Sequence, residues 1–235
     1  MIPVKVTIGA LGAAEAAGSG DVVVIVDIVN TSSAAEVVRR EGAVGVVGAA
    51  PDSAYEALER GYAKYPFAVR EGVDPVERGR EAARLASEED AELVLVVDGG
   101  EDNASMALKG VEEEGVEVSE TVPNAGPRVK DVVDPRGKVF LFVTATGGTL
   151  YDVARTHGAP YVTFGTVVRR SLIRECAERV VDRAEREGSG ITVVVSSIFA
   201  PEDLDAGARI FEEICKVLTE RACEVRFEDL VSRHF

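Results

Sequence analysis

A layered α/β fold, with a mostly parallel sheet between two layers of helices, is the class this sequence predicts. Three observations carry that expectation. Several short apolar runs, "VVVIV" at residues 22–26 among them, are continuous rather than alternating, as strands covered on both faces are. A helical pattern follows nearly every such run, and βα alternation builds parallel sheets. Four of the runs also end in small polar residues at a helix start, where open α/β sheets hold their ligands.

Taken in order, "PVKVTIGAL" reads as the first strand and "VVVIVDIV" as the second. "SSAAEVVRREGA" reads as a short helix ended by Gly42, and "VGVVGAA" as a strand. "PDSAYEALERGYA" opens on Pro51 and Asp52, a good helix start, and stops at Gly61. "DPVERGREAARLASEEDA" is helical with Pro75 near its beginning, and "ELVLVVDGG" is a strand ending at Asp98. Ala104 to Glu114 reads as a short helix. Thr121 to Lys138, rich in Pro and Gly, reads as a connection or flap. The alternation then resumes: "VFLFVTAT", "GGTLYDVARTHG", "YVTFGT", "VRRSLIRECAERVVDRAEREG", "ITVVVSSIF" and "APEDLDAGARIFEEICKVLTER" are strand, helix, strand, helix, strand and helix. Residues 1–235 therefore read as one three-layer α/β/α domain, in which a boundary between two lobes could fall near residues 121–137.

Composition narrows the function. The net charge of −15 repels nucleic acid and anionic membrane surfaces, so neither is an expected partner. No apolar run approaches the roughly 18 residues a membrane-spanning helix needs. The three cysteines, Cys176, Cys215 and Cys223, form no CxxC and fit a reducing compartment; with no signal-peptide layout at the N-terminus, the chain reads as cytoplasmic. Cys176 and Cys215 lie on apolar helix faces and are expected in the core. The two histidines, His157 and His234, stand in no zinc or nucleophile-base spacing. Val-rich strand edges and the acidic middle segment could form a homodimer contact.

The chemistry is expected at the strand ends "DIVNTSS", "TATGGT", "FGT" and "SSIFAPED". A helix N-terminus offers unpaired N–H groups and a positive dipole end, and Thr or Ser adds a hydroxyl; together these suit an oxyanion. Thr31, Ser32 and Ser33 are each also ordinary caps. The double glycine Gly147-Gly148, between Thr146 and Thr149, exceeds what a cap needs and suggests a close backbone approach to an anion. No GxxxxGK[ST] motif is present, so a nucleoside triphosphate is not indicated. Asp27 is the sharpest single residue. A carboxylate ending a buried strand is costly unless it is paired, hydrogen-bonded or bound to a cation such as Mg²⁺. Asp98 in "VVDGG" poses the same question more weakly, and Glu202 and Asp203 suit the first turn of a helix.

The blocks "VVIVDIVNTSSAAEVVRREGA", "GKVFLFVTATGGTLYDVA", "APYVTFGTVVRRSLI" and "ITVVVSSIFAPEDLDAGARIFEEI" resemble, in this order, the 2-phosphosulfolactate phosphatase family. The resemblance covers about half of the chain. It implies Mg²⁺-dependent hydrolysis of a small anionic phosphorylated substrate, in that family 2-phospho-3-sulfolactate on the way to coenzyme M. It places Asp27 on the family's aspartate, expected here as the catalytic residue and a Mg²⁺ ligand, and Glu202 and Asp203 on its Glu-Asp pair, expected as further Mg²⁺ ligands. Asn30, Thr31, Ser32, Thr146, Gly147, Gly148 and Thr149 fall on the substrate-binding segments, with Arg169 as a nearby cation for the substrate. The chain departs from the family at three of these places: Asn30 and Leu150 stand where it has arginines, and Gly147 where it has asparagine. The loss of two anion-binding arginines leaves open a catalytically silent relative that binds an anionic metabolite or serves as an assembly subunit.

Overall fold

In the structure, a computed structural model, residues 2–29, 31–59, 72–197 and 199–232 are described, with 57–59 and 223–232 described as backbone only. The chain opens with β1 (Val4–Ile8), α1 (Gly9–Gly18), β2 (Val22–Val26), α2 (Thr31–Arg40), β3 (Gly45–Ala49) and α3 (Asp52–Glu59). It continues with α4 (Pro75–Glu88), β4 (Glu92–Val97), α5 (Ser105–Glu113), β5 (Val118–Pro123) and β6 (Lys138–Val143). It closes with α6 (Gly147–Thr156), β7 (Val162–Phe164), α7 (Arg170–Glu187), β8 (Ile191–Val195) and α8 (Pro201–Ser232). The strands form two four-stranded sheets, ordered β1-β8-β2-β7 and β3-β6-β4-β5. Every pairing is parallel. With helices flanking the sheets, this is the expected α/β/α class.

β2 shows why its apolar run does not alternate. Val23 and Ile25 enter one large core together with β3, β4 and β6 of the other sheet. Val22, Val24 and Val26 point the other way and pack against Cys176 and Val180 of α7 and Ile210 and Ile214 of α8. Both faces of the strand are dry, so both must be apolar. Cys176 is buried as expected, whereas Cys215 is only half-buried.

Two elements differ from the sequence reading. The tail of the first apolar run is the helix α1, not strand; its Ala10, Gly12, Ala13, Ala14, Ala16 and Ala17 are buried. So small a set of side chains carries little periodic signal, and packing on α6 and the first sheet decides its shape. The segment read as a flap begins within β5, which pairs with β4 along Leu95 opposite Thr121 and Val96 opposite Val122. β5 is an edge strand, mostly exposed, and so has no apolar run to betray it. Residues 121–137, where a lobe boundary could fall, thus run between two strands of one sheet; the chain changes sheets at 27–44 and 144–161. The expected stop of α3 at Gly61 lies outside the described residues.

Among the described residues, no helix is long and apolar enough to cross a membrane.

Candidate functional site

The carboxyl ends of β2, β6 and β8 meet in a buried, hydrogen-bonded cluster. Asp27 leaves β2 with 1 % of its surface exposed. Its Oδ2 accepts from the Gly147 N–H at 2.9 Å and from the Thr31 hydroxyl at 3.2 Å. The Thr31 and Thr144 hydroxyls bond at 2.7 Å, and Thr144 accepts from the Gly148 N–H at 2.8 Å. The first N–H group of α6 therefore binds Asp27 directly, and the second reaches it through the Thr144 and Thr31 hydroxyls, which also tie in the start of α2. Ser32 closes the other side, donating to the Ile25 carbonyl and accepting from the Asp27 N–H, both at 2.9 Å.

This bonding accounts for the double glycine differently from the sequence. A Cβ on Gly147 would lie 2.5 Å from Thr31 Cβ and 2.9 Å from Asp27 Oδ2. One on Gly148 would lie 2.3 Å from the Ala49 carbonyl oxygen. The close approach both glycines permit is to the protein itself, with the N-terminus of α6 pressed onto the ends of β2 and β3. The next N–H groups are satisfied too, Thr149 by the Thr144 carbonyl and Leu150 by that of Thr146.

Asp203, in the first turn of α8, is also buried. It accepts from the Ile28 N–H at 2.8 Å and, through a short hydrogen bond, from the Ser196 hydroxyl. Asp203 thereby ties α8 to the chain just beyond Asp27. Burial first, and then the nearby Asp203 charge, push the Asp27 carboxyl up to about 6; the bonds from Thr31 and Gly147 oppose the shift. Burial likewise raises Asp203, against the bonds from Ser196 and Ile28.

The structure thus brings together Asp27, Thr31, Ser32, Gly147, Gly148 and Asp203. Thr149 is buried beside them, its hydroxyl turned back to the Ala145 carbonyl at 2.9 Å. Thr146 is half-buried at the N-cap of α6, and its hydroxyl does not cap the helix. Glu202 and Arg169 are exposed and make no bond to this cluster, Arg169 sitting at the N-cap of α7. Asn30 lies outside the described residues. Leu150, where the resembling family carries arginine, is fully buried and offers no cation to a ligand.

Thr144 is the residue the sequence reading passed over. Its cue was position: it is the first residue after the apolar run of β6, where a side chain can reach both neighbouring helix starts. Ser33 and Thr166 form a parallel pair, their hydroxyls 2.9 Å apart, which spends the polar end of "FGT" on holding α2 to β7.

Among the described residues, no three acidic, histidine or cysteine side chains gather into a ready-made metal site. Mg²⁺ does not require one, since it keeps several waters and commonly takes one or two carboxylates plus substrate phosphate. A buried pair of carboxylates of like charge fits such a cation. No protein-family model and no curated protein matches the chain, so the family resemblance rests on the sequence blocks quoted above.

Proposed function

We propose that this cluster is the active site of a magnesium-dependent phosphatase acting on a small acidic phosphate monoester, as the resemblance to the 2-phosphosulfolactate phosphatases implies. The observation that supports it best is the buried pair of Asp27 and Asp203 at the carboxyl end of a parallel sheet, both held above the usual carboxylate range. Such a pair is relieved by a proton or by a bound cation. Asp27 would hold Mg²⁺, which when bound supplies charge neutralisation at a phosphate oxygen. The Thr146 hydroxyl, not used as a cap, would bond a second phosphoryl oxygen at the α6 N-terminus. A carboxylate of the pair would take the proton of the attacking water.

A specific observation favours the second reading, a silent relative that binds an anionic metabolite or acts as an assembly subunit. The Gly147 and Gly148 N–H groups and both oxygens of Asp203 already have partners within the chain. A substrate would have to displace some of them.

Phosphate release from a panel of small phosphomonoesters, including 2-phosphosulfolactate, with and without Mg²⁺, separates the two. The phosphatase reading expects metal-dependent release that falls by about a hundredfold or more in Asp27→Asn. No release from any ester by the folded protein in Mg²⁺ sinks it and leaves the silent relative.

A further inference from the structure

The strands that end the two sheets are finished differently. β3 and β7 are buried throughout. β5 is exposed but carries Glu120 and Pro123, and charge and proline deter a further strand. β1, "VKVTI", is exposed and has no proline, and its one charge, Lys5, is engaged with buried Asp21 at 2.8 Å. Val6 and Ile8 keep 47 % and 39 % of their surfaces in solvent. With Val4 opposite Ile191, the Ile191 N–H donates to the Pro3 carbonyl. The main-chain groups of Lys5 and Thr7 therefore also face β8, and the N–H groups of Val4, Val6 and Ile8 point outwards. Among the described residues, no strand receives them.

The same edge continues into α8, which packs over β1 and β8. Leu204, Ala208, Phe211, Cys215 and Leu218 recur at spacings of four and three and so form one stripe, none of it fully buried. Leu204, Ala208 and Phe211 border one largely apolar cavity of about 590 Å³ together with Val6 and Ile8, with Glu212 at its rim. Beside the stripe run Asp205, Arg209, Glu212 and Lys216, in the order acid, base, acid, base. A Cβ on Gly207 would lie 2.5 Å from Val195 Cγ2, and Val195 is the partner of Ile8. Val6 lies two strand residues back from Ile8, about 6.6 Å, and Phe211 lies four residues on along α8, about 6 Å. Val6 and Phe211 thus stand at one height along the edge.

We propose that this face docks a second copy of the chain about a twofold axis through Val6. β1 pairs antiparallel with the partner's β1, which joins two four-stranded sheets into one of eight strands. Val6 exchanges two main-chain bonds with the partner's Val6, and the Ile8 N–H donates to the carbonyl of the partner's Val4 in both directions. Lys5 falls opposite the partner's Thr7, so no like charges meet on the strands. The same axis passes Phe211, so the two α8 helices run antiparallel with their stripes facing. Reversal of the acid-base order then brings opposite charges to one height: Asp205 with the partner's Lys216, and Arg209 with the partner's Glu212. Within one copy, Arg209 holds Asp205 at 2.9 Å and Lys216 lies 3.6 Å from Glu213. Such exposed pairs contribute little and exchange partners readily. In a chain of net charge −15, a self-contact needs this matching of charge. The contact does not depend on the phosphatase reading, because it uses the outer edge of the sheet and not the Asp27 cluster.

Sedimentation velocity of the purified full chain, from about 1 to about 100 μM, tests this directly. The mass should rise to that of two chains and no further. Ala208→Glu, at an exposed position on the stripe, sets like charges on both sides of the axis and should weaken the dimer about a hundredfold. Asp205→Lys should weaken it too, and adding Lys216→Asp should restore it, which a merely structural loss would not do. Hydrogen exchange read at the Val6 amide should slow about tenfold or more in the dimer, since that N–H is then bonded. If a variant fails to fold, the Val6 amide of the unaltered protein decides alone. A single-chain mass at every concentration overturns the proposal. So does a dimer that folded Ala208→Glu leaves intact, a charge swap that does not restore association, or a Val6 amide that exchanges equally fast in monomer and dimer.

Discussion

Asp27 carries its environment as a measurable pH effect. Its folded carboxyl titrates at about 6, against 3.8 in an open chain. Between these values the unfolded chain releases its proton while the folded one keeps it, so this residue makes stability fall as pH rises from about 4 to about 6. Asp27→Asn lacks that cost. In metal-free buffer, the variant should gain up to about 3 kcal/mol on the wild type between pH 3 and pH 7, read by urea unfolding at both. No relative gain would mean that Asp27 is not held in a charge-hostile site. Mg²⁺ should raise the melting temperature of the wild type at pH 7 and leave the variant unmoved, since only a cation that binds the folded carboxylate stabilises it. Gly147→Ala tests the packing of the same cluster. Its methyl group would enter the space of Thr31 and Asp27, and a loss of about 2 kcal/mol is expected by chemical denaturation.

At the scale of elements, α4 and α5 touch backbone to backbone through two glycines. A Cβ on Gly79 would stand 1.9 Å from the Ala107 carbonyl oxygen, and one on Gly110 would stand 1.9 Å from that of Val76. Alanine improves an isolated helix by about 1 kcal/mol over glycine. Here the helices would have to part, so Gly79→Ala should destabilise the protein by about 2 kcal/mol in spite of that gain. A stabilised variant in thermal melts would show that the two helices separate without cost. The same logic explains what the sequence did not reveal about α1. Its glycines and alanines say little by themselves, and only the neighbours that accept so thin a helix make it one. β5 went unread for the opposite reason: at a sheet edge, its residues need not be apolar.

Over the whole molecule, the net charge of −15 opposes the compact state. Many surface ion pairs act in the other direction, Arg174 with Glu178, Glu213 and Glu220 among them. Each exposed pair contributes about 0–1 kcal/mol and is itself screened. General repulsion should therefore dominate, and the melting temperature should climb as NaCl is raised from low ionic strength to about 0.15 M, where the screening length is about 8 Å. A falling melting temperature over that range would show instead that the ion-pair networks outweigh the net charge.

The sequence by itself determined the α/β class, the order of most strands and helices, and the places where ligand chemistry could sit. These follow from local periodicity and from small polar residues at strand ends, which are properties of neighbouring residues. The tertiary structure decided which strand ends meet. It set Asp203 beside Asp27 at the ends of the paired strands β8 and β2, and linked Thr144 to Thr31 across 113 positions. It also turned Gly147 and Gly148 towards protein atoms and left Glu202 and Arg169 outside the cluster. Such outcomes depend on sheet order, β1-β8-β2-β7 and β3-β6-β4-β5, which is fixed by how whole faces pack against one another. No single segment of the chain encodes that order, because each strand's apolar run would suit several neighbours equally well.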